Sequence, residues 1–219
     1  DPKVRFVHAV PGAPNVTLQR NGVAESAATD VAYKYGSQYY DVATENYTFS
    51  LRTIDGATAL ATSNFSADRG NKYTVVALPT DGGAELVTIR DPYNKSLTSD
   101  DARVRVLNAA ANAAPFDVYI TDAAIDLATA TPRLANLGFK QVLPNSGDDS
   151  VEIAPAAYRL RLTPAGSKTP FFDATVTAPA DGDWLLVALP DDALTANSVR
   201  LLLVRSDDSS DATDEIVNP

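Results

Sequence analysis

Apolar and polar residues alternate with a period of two along several short stretches of the chain. This alternation is clear in VRFV (4–7), YTFSL (47–51) and YRLRL (158–162). It predicts strands that turn one face towards a core and the other towards solvent. Two further stretches, YTVVAL (73–78) and WLLVAL (184–189), are apolar at almost every position. Because their residues are mostly β-branched, aromatic or otherwise apolar on both faces, they are typical of strands in the middle of a sheet.

Turn-forming residues separate these stretches. Glycine readily adopts positive φ values, and Asp or Asn side chains cap turns. On this basis we predict turns at RNG (20–22), IDG (54–56), TDGG (80–83), PNSGDD (144–149), PAGS (164–167) and PADGD (179–183). No segment keeps a helical period, apart from a candidate helical turn within residues 123–137. Short strands spaced by turns favour a β-sandwich.

The chain repeats itself. At a shift of 100, VRFVHAVPGAPNVTL (4–18) falls on VRVLNAAANAAPFDV (104–118), and at a shift of 111 KYTVVALP (72–79) falls on DWLLVALP (183–190). At the same shift of 111, Tyr47 falls on Tyr158. Matched blocks in the same order predict an internal duplication. The expected fold is therefore all-β, with two tandem immunoglobulin-like or transthyretin-like antiparallel β-sandwich domains related by that duplication.

A short connector divides the two copies. Apolar periodicity stops in DPYNKSLTSDDA (91–102), where turn and charged residues take over. We predict a first sandwich over residues 1–95, a second over 96–205 and an acidic tail over 206–219. The tail, SDDSSDATDEIVNP, has a composition that normally stays disordered unless something holds it.

Composition and charge narrow the function classes. Of 219 residues, 45% are hydrophobic and 21% charged, which is typical of globular domains. The absence of cysteine excludes disulfides, thiolate nucleophiles and zinc–thiolate sites. The net charge of −10 repels phosphate backbones and anionic lipids, so we expect no nucleic-acid partner. No apolar run approaches the roughly 18 residues of a membrane helix.

Methionine is absent, and the chain begins at Asp1. A removed secretion or lipoprotein signal would account for this, so we expect a secreted, extracellular or cell-envelope protein.

The repeated blocks also resemble a known family. VRFVHAVPGAPNVTL, NYTFSL and KYTVVALP in the first copy are similar to the secreted bacterial domain-of-unknown-function family 4397, and RVRVLNAAANAAPFDVYI, AYRLRL and DWLLVALP match it more loosely in the second. The resemblance implies an exported or surface-attached β-sandwich, often in tandem, without known catalytic residues. The second copy departs from the pattern where His8 becomes Asn108.

His8 is the only histidine. A lone imidazole supplies at most one metal ligand, and no GxSxG motif places a serine nucleophile beside it. We therefore predict a hydrogen-bonded histidine that braces the adjacent PGAP turn, and a protein that is not an enzyme.

Aromatic residues concentrate in YKYGSQYY (33–40), whose tyrosines could either pack in the core or form a surface for a sugar or a protein. Tyr33 aligns with Phe139, which favours packing for that ring. The candidate ligand-binding residues are Tyr33, Tyr35, Tyr39 and Tyr40.

Metal binding is a weaker expectation. Calcium prefers several oxygen ligands from loops, and the DGD turn offers Asp181 and Asp183. No spacing matches the calcium loop of an EF-hand, so we expect no cofactor and keep Ca²⁺ as an alternative.

These observations favour a non-catalytic structural or adhesive protein, with self-assembly into a surface layer or filament as one form of that role. A carbohydrate- or calcium-dependent binding module is the alternative. Sheet edges can accept a strand from another chain, so we expect self-association or a cell-surface protein partner. The candidate contact residues lie in the tail: Asp207, Asp208, Asp211, Ile216 and Val217.

Overall fold

A computed structural model describes residues 1–93, 99–206 and 212–218. Contacts divide the chain into two compact units. The first holds the described part of residues 1–95 together with residues 146–149 and 212–213, and the second holds the remaining described residues. The expected domain boundary at residue 95 lies outside the described residues.

The first unit is built from eight strands in two sheets. One sheet has the order β4-β1-β7-β8 and the other β3-β2-β5-β6. A short 3₁₀ helix, Ser26–Ala28, follows β3. The strands are β1 (Lys3–His8), β2 (Val16–Arg20), β3 (Val23–Ala24), β4 (Tyr40–Asp41), β5 (Asn46–Thr53), β6 (Ala59–Ser66), β7 (Asn71–Thr80) and β8 (Gly83–Pro92).

The second unit has a corresponding pair of sheets. One has the order β11-β10-β14-β15, and the other β12-β9-β16-β17-β18, with β13 also paired to β9. The strands are β9 (Ala102–Asn108), β10 (Phe116–Thr121), β11 (Leu134–Leu137), β12 (Val142–Leu143), β13 (Val151–Ile153), β14 (Ala156–Pro164), β15 (Phe172–Ala178), β16 (Asp183–Pro190), β17 (Val199–Arg205) and β18 (Thr213–Ile216).

Each unit has its own hydrophobic core. Alternate residues of β1, β2, β5 and β7 form the first core, including Phe6, Leu18 and Phe49. The equivalent strands of the second unit form another, including Phe116 and Leu186. The prediction of an all-β sandwich fold is thus confirmed.

The first strand of each unit differs from the expected antiparallel arrangement. β1 pairs with β7 in parallel, and β9 pairs with β16 in parallel. Between the two paired strands, the chain crosses to the opposite sheet and returns in the same direction, and parallel pairing needs such a crossover. Residue alternation does not report the partner of a strand, so the sequence did not indicate this pairing.

Matched sequence rows occupy matched places in the two units. β7 lies between β1 and β8, and β16 lies between β9 and β17. Both are therefore interior strands of their sheets, as their apolar character predicted. The Tyr47 hydroxyl donates to the carbonyl of Ala43 at 3.0 Å, and the Tyr158 hydroxyl donates to Ala154 at 2.8 Å. A tyrosine that bonds back to the backbone just upstream is a recurrent feature of immunoglobulin-like sandwiches. This equivalence is what duplication predicts.

The turn chemistry explains the local connections. Asn21 and Gly22 have φ values of 49° and 83° and join β2 to β3, so they form the two-residue hairpin that Asn-Gly favours.

The segment 123–137 contains one short turn and a strand. The N–H of Ala130 donates to the carbonyl of Asp126 at 3.2 Å, which closes a single turn over residues 126–130. The segment then forms β11, because Leu134 and Leu137 are buried in the core beside β10.

No helix within the described ranges is long and apolar enough to cross a membrane.

Candidate functional site

The single histidine holds a turn together. His8 is fully buried at the end of β1. Its Nδ1 accepts a hydrogen bond from the backbone N–H of Val10 at 3.3 Å, and its Nε2 lies 3.2 Å from the carbonyl oxygen of Pro14. Both contacts are satisfied when the proton is on Nε2 and is donated to Pro14. Burial lowers the pKa of His8, which favours this neutral form.

Asn108 performs the same task in the second unit. Its Oδ1 accepts from the backbone N–H of Ala110 at 3.0 Å, and its Nδ2 donates to the carbonyl of Leu137 at 3.2 Å. The acceptor contact, to the backbone N–H two residues further on, corresponds to that of His8, whereas the donor contact goes to a different segment, Leu137 instead of the turn carbonyl of Pro14. An amide can therefore replace the imidazole as acceptor, and the prediction that His8 braces the turn is confirmed.

Substitution of His8 tests this role. We expect His8→Ala to lower the free energy of unfolding by about 1–3 kcal/mol, because the Val10 N–H loses its buried acceptor. His8→Asn should retain most of the stability. Since the pKa of folded His8 lies below its usual 6.5, its contribution should be complete above pH 6.5 and decline as the pH falls further. Urea denaturation between pH 5 and 8 measures both effects.

The His8→Asn protein is the control for the pH effect, because an amide does not titrate. The decline attributed to His8 should be absent from this variant. A His8→Ala protein as stable as the unmodified chain would contradict the structural role.

The four candidate tyrosines lie in different surroundings. Tyr35 is 62% exposed, whereas Tyr40 packs against the first core. The Tyr39 ring lies 4.5 Å from the Arg5 guanidinium carbon, on the side of the sheet opposite the core. Tyr33 meets the edge of the His8 ring at 6.2 Å. The four rings therefore do not form one continuous platform.

The candidate metal residues, Asp181 and Asp183, lie where a turn leads into β16. Asp181 lies in a turn with φ of 59°, and Asp183 begins β16 with only 7% exposure. Across the described part of the chain, no three His, Asp or Glu side chains lie close enough to share a metal ion. Other turn aspartates cap backbone groups, as Asp191 does for the N–H of Ala193 at 2.9 Å.

An open polar cleft of about 970 Å³ lies in the first unit. It is bordered by the β2–β3 hairpin and by the segment from β4 to the start of β5. Its charged lining residues are Asp1, Arg20, Glu25, Asp41, Glu45 and Arg69.

An ion pair and neighbouring tyrosines fix the side chains along one wall of this cleft. Arg20 Nε lies 2.7 Å from Glu25 Oε1, and the Arg20 guanidinium carbon lies 5.2 Å from the centre of the Tyr47 ring. Burial, and then the nearby Glu25 carboxylate, raise the pKa of the Tyr40 hydroxyl. The cleft thus offers fixed hydrogen-bonding groups, but the Tyr47 ring itself is buried.

The described part of the acidic tail forms the last strand of the second unit. β18 adds to the edge of the sheet beside β17, and Ile216 packs against the core. A gap of about 290 Å³ remains between β18 and β15, with Trp184 and Leu203 at its base. We call the binding place of the tail, between β15 and β17, the edge groove.

Charged and polar groups fix the tail in the edge groove. Arg200 Nη1 donates to Glu215 Oε2 at 2.8 Å, and Arg205 Nη2 lies 3.7 Å from Asp214 Oδ2. On the other side, the backbone N–H of Asp173 donates to Asn218 Oδ1 at 3.0 Å. The tail therefore contacts both edges of one sandwich.

These contacts change the expectation for the tail. We expected another chain to hold it, but β17 of the same chain pairs with β18. Ile216 packs against the core of the second unit, whereas Val217 is 57% exposed. The other three candidate contact residues, Asp207, Asp208 and Asp211, lie outside the described residues.

Sequence reasoning did not identify Arg200 as a contact of the tail. In the alignment of ELVTIRD (85–91) with RLLLVRS (200–206), Arg200 falls on Glu85. This reversal of charge between the two copies was a usable signal, because a tail containing Asp214 and Glu215 needs cationic partners.

The fold and these contacts define a β-sandwich protein whose polar side chains brace turns and strand edges. The model of the family described as a domain of unknown function (DUF4397) matches residues 2–119, just over half of the chain. The chain belongs to this family.

Comparisons with curated proteins and with solved structures do not extend this assignment. No curated protein matches the chain. Among solved structures, a chain from work on alpha-glucan recognition by family 41 carbohydrate-binding modules from streptococcal virulence factors has 13% identity and a TM-score of 0.26. That match covers 85% of this chain and 93% of the other. A TM-score this low carries no argument about ligand or function.

Proposed function

We propose that this protein is a non-catalytic structural or adhesive β-sandwich protein of the cell envelope or extracellular space. It acts through its surfaces and needs no cofactor. The main support is β18, because it demonstrates that the sheet edge at β17 accepts an additional strand. Strand addition is a common way for β proteins to bind extended segments.

The role of His8 also supports this proposal. Both ring nitrogens are engaged with the backbone, and Asn108 provides the same acceptor contact in the second unit. The only imidazole of the chain therefore serves the fold. A duplicated unit with a separate core in each copy suits a spacing or contact role.

Size measurements and imaging of the purified protein test the proposal. A structural subunit should form particles larger than the 23.2 kDa chain as its concentration rises, visible by light scattering and by negative-stain electron microscopy. An adhesive module that stays monomeric should instead bind isolated cell envelopes. A protein that remains monomeric and binds no envelope fraction would overturn the proposal.

The polar cleft supports a second candidate, a carbohydrate-binding module. Its arginine and carboxylate groups can bond to sugar hydroxyls, and Arg69 is exposed at the rim. Calorimetry against oligosaccharides should give heat that Arg69→Ala removes and Arg133→Ala, outside the cleft, leaves unchanged. Titration with Ca²⁺ separates a calcium-dependent site from a sugar site, and no heat with either would exclude this candidate.

A further inference from the structure

The C-terminal strand is bound like a separate peptide. Residues 206–212 lie between β17 and β18, whereas common β-hairpins use about two to five residues. The tail is held by strand pairing, by Ile216 in the core and by side chains on both sheet edges. None of these contacts requires that the strand belong to the chain that supplies the groove.

The edge groove is selective for an acidic strand with an apolar residue. Arg200 has a side chain only 13% exposed and contacts both Glu215 and Asp192. Arg205 lies beside Asp214, and the core receives Ile216. The Asp-Glu-Ile segment thus complements the edge groove both in charge and in apolar contact. In a vacated groove Arg200 would keep Asp192 but lose Glu215, and the loss of one of its two carboxylates would favour recapture of the same sequence.

We propose that this strand is exchanged between two copies of the chain, so that Thr213–Ile216 of one copy occupies the edge groove of another. This inference rests on the proposed structural role and specifies its contact. The exchanged state repeats the contacts of the closed state, so it needs no new interface. Reciprocal exchange gives a closed pair, and successive one-way exchange gives an open series of chains.

At low concentration the chain's own tail is favoured, because the connecting residues keep it close to its groove. High local concentration, as in a surface layer, shifts the balance towards exchange. The exchanged fraction should therefore rise with protein concentration.

Mixed single-cysteine chains provide the test, since the natural chain has no cysteine. One full-length chain carries Arg200→Cys and another, of different mass through a tag, carries Glu215→Cys. The two are mixed at high concentration, incubated and treated with a short bis-maleimide cross-linker, which does not require disulfide geometry. We expect a cross-linked heterodimer several times more abundant than either homodimer.

Two controls make the result specific. The double variant Arg200→Cys/Glu215→Cys, at low concentration, should cross-link within one chain and show that the two positions can be bridged. Chains carrying Thr48→Cys and Asn64→Cys report random collision, because these exposed residues face each other on β5 and β6 within one sheet of the first unit. Their mixture should give only background heterodimer.

A second pair, Arg205→Cys and Asp214→Cys, repeats the test if an Arg200 variant fails to fold. Heterodimer at the control level, with efficient cross-linking within the double variant, would overturn exchange. If the unmodified chain still forms large particles, exchange alone is overturned and the structural role stands. If it stays monomeric and binds no envelope fraction, both proposals fall.

Discussion

Phe49→Ala is expected to lower the free energy of unfolding of the first unit by about 3–5 kcal/mol. Phe49 is fully buried in the first core. Its ring stacks on Phe65 with centroids 5.2 Å apart and lies 5.9 Å from the Tyr47 ring. Removal of the ring loses its burial and leaves a cavity that the neighbouring strands can fill only in part.

Hydrogen exchange of individual amides measures this effect in each unit separately. Protection should fall in β5 and β7 and remain in β14 and β16, because the two cores contain different residues. Val23→Ala is the control, since Val23 is 70% exposed and its truncation should change stability by less than about 0.5 kcal/mol. Equal loss of protection in both units would show that they unfold together.

Asp117→Ala is expected to destabilise the second unit by about 3 kcal/mol, because it removes two hydrogen bonds to a carboxylate. Asp117 Oδ1 accepts from the N–H of Asn136 at 2.8 Å, and Oδ2 accepts from the N–H of Gly166 at 2.8 Å. Both donors belong to residues with positive φ, 57° and 76°. One carboxylate thus holds both the irregular strand β11 and the turn between β14 and β15 in place.

The matched control is Asp117→Asn, which keeps one carbonyl oxygen as an acceptor. It should lose roughly half as much stability as Asp117→Ala in urea denaturation, since one of the two bonds can persist. In the first unit Thr17 occupies the equivalent position, and its hydroxyl accepts from the N–H of Asp30 at 3.4 Å. Equal stability of the alanine and asparagine variants would contradict the role of these two hydrogen bonds.

Local chemistry explains which features could be predicted. Alternation of apolar residues identified β5 and β14, because a strand with one buried face must show a period of two. The Asn-Gly pair identified the β2–β3 turn, because its backbone readily adopts positive φ at both positions. The matched VALP rows identified the same central strand in both units.

Other features depend on distant residues and were missed. The parallel pairing of β1 with β7 depends on where the chain returns after crossing to the other sheet. β11 looked like a candidate helical turn because only contact with β10 makes it a strand. Tyr39 and Tyr40 are adjacent in sequence, yet one packs on Arg5 and the other on the core, since successive residues of extended backbone point to opposite sides.

The sequence by itself determined the strand-rich fold and the bracing role of His8. These follow from residue periodicity and from the chemistry of short segments. The tertiary structure alone decided which strands pair, how the tyrosines divide and where the acidic tail binds. Those outcomes depend on residues far apart in the chain: Arg200 and Glu215 meet only because β18 reaches the edge of an already folded sheet.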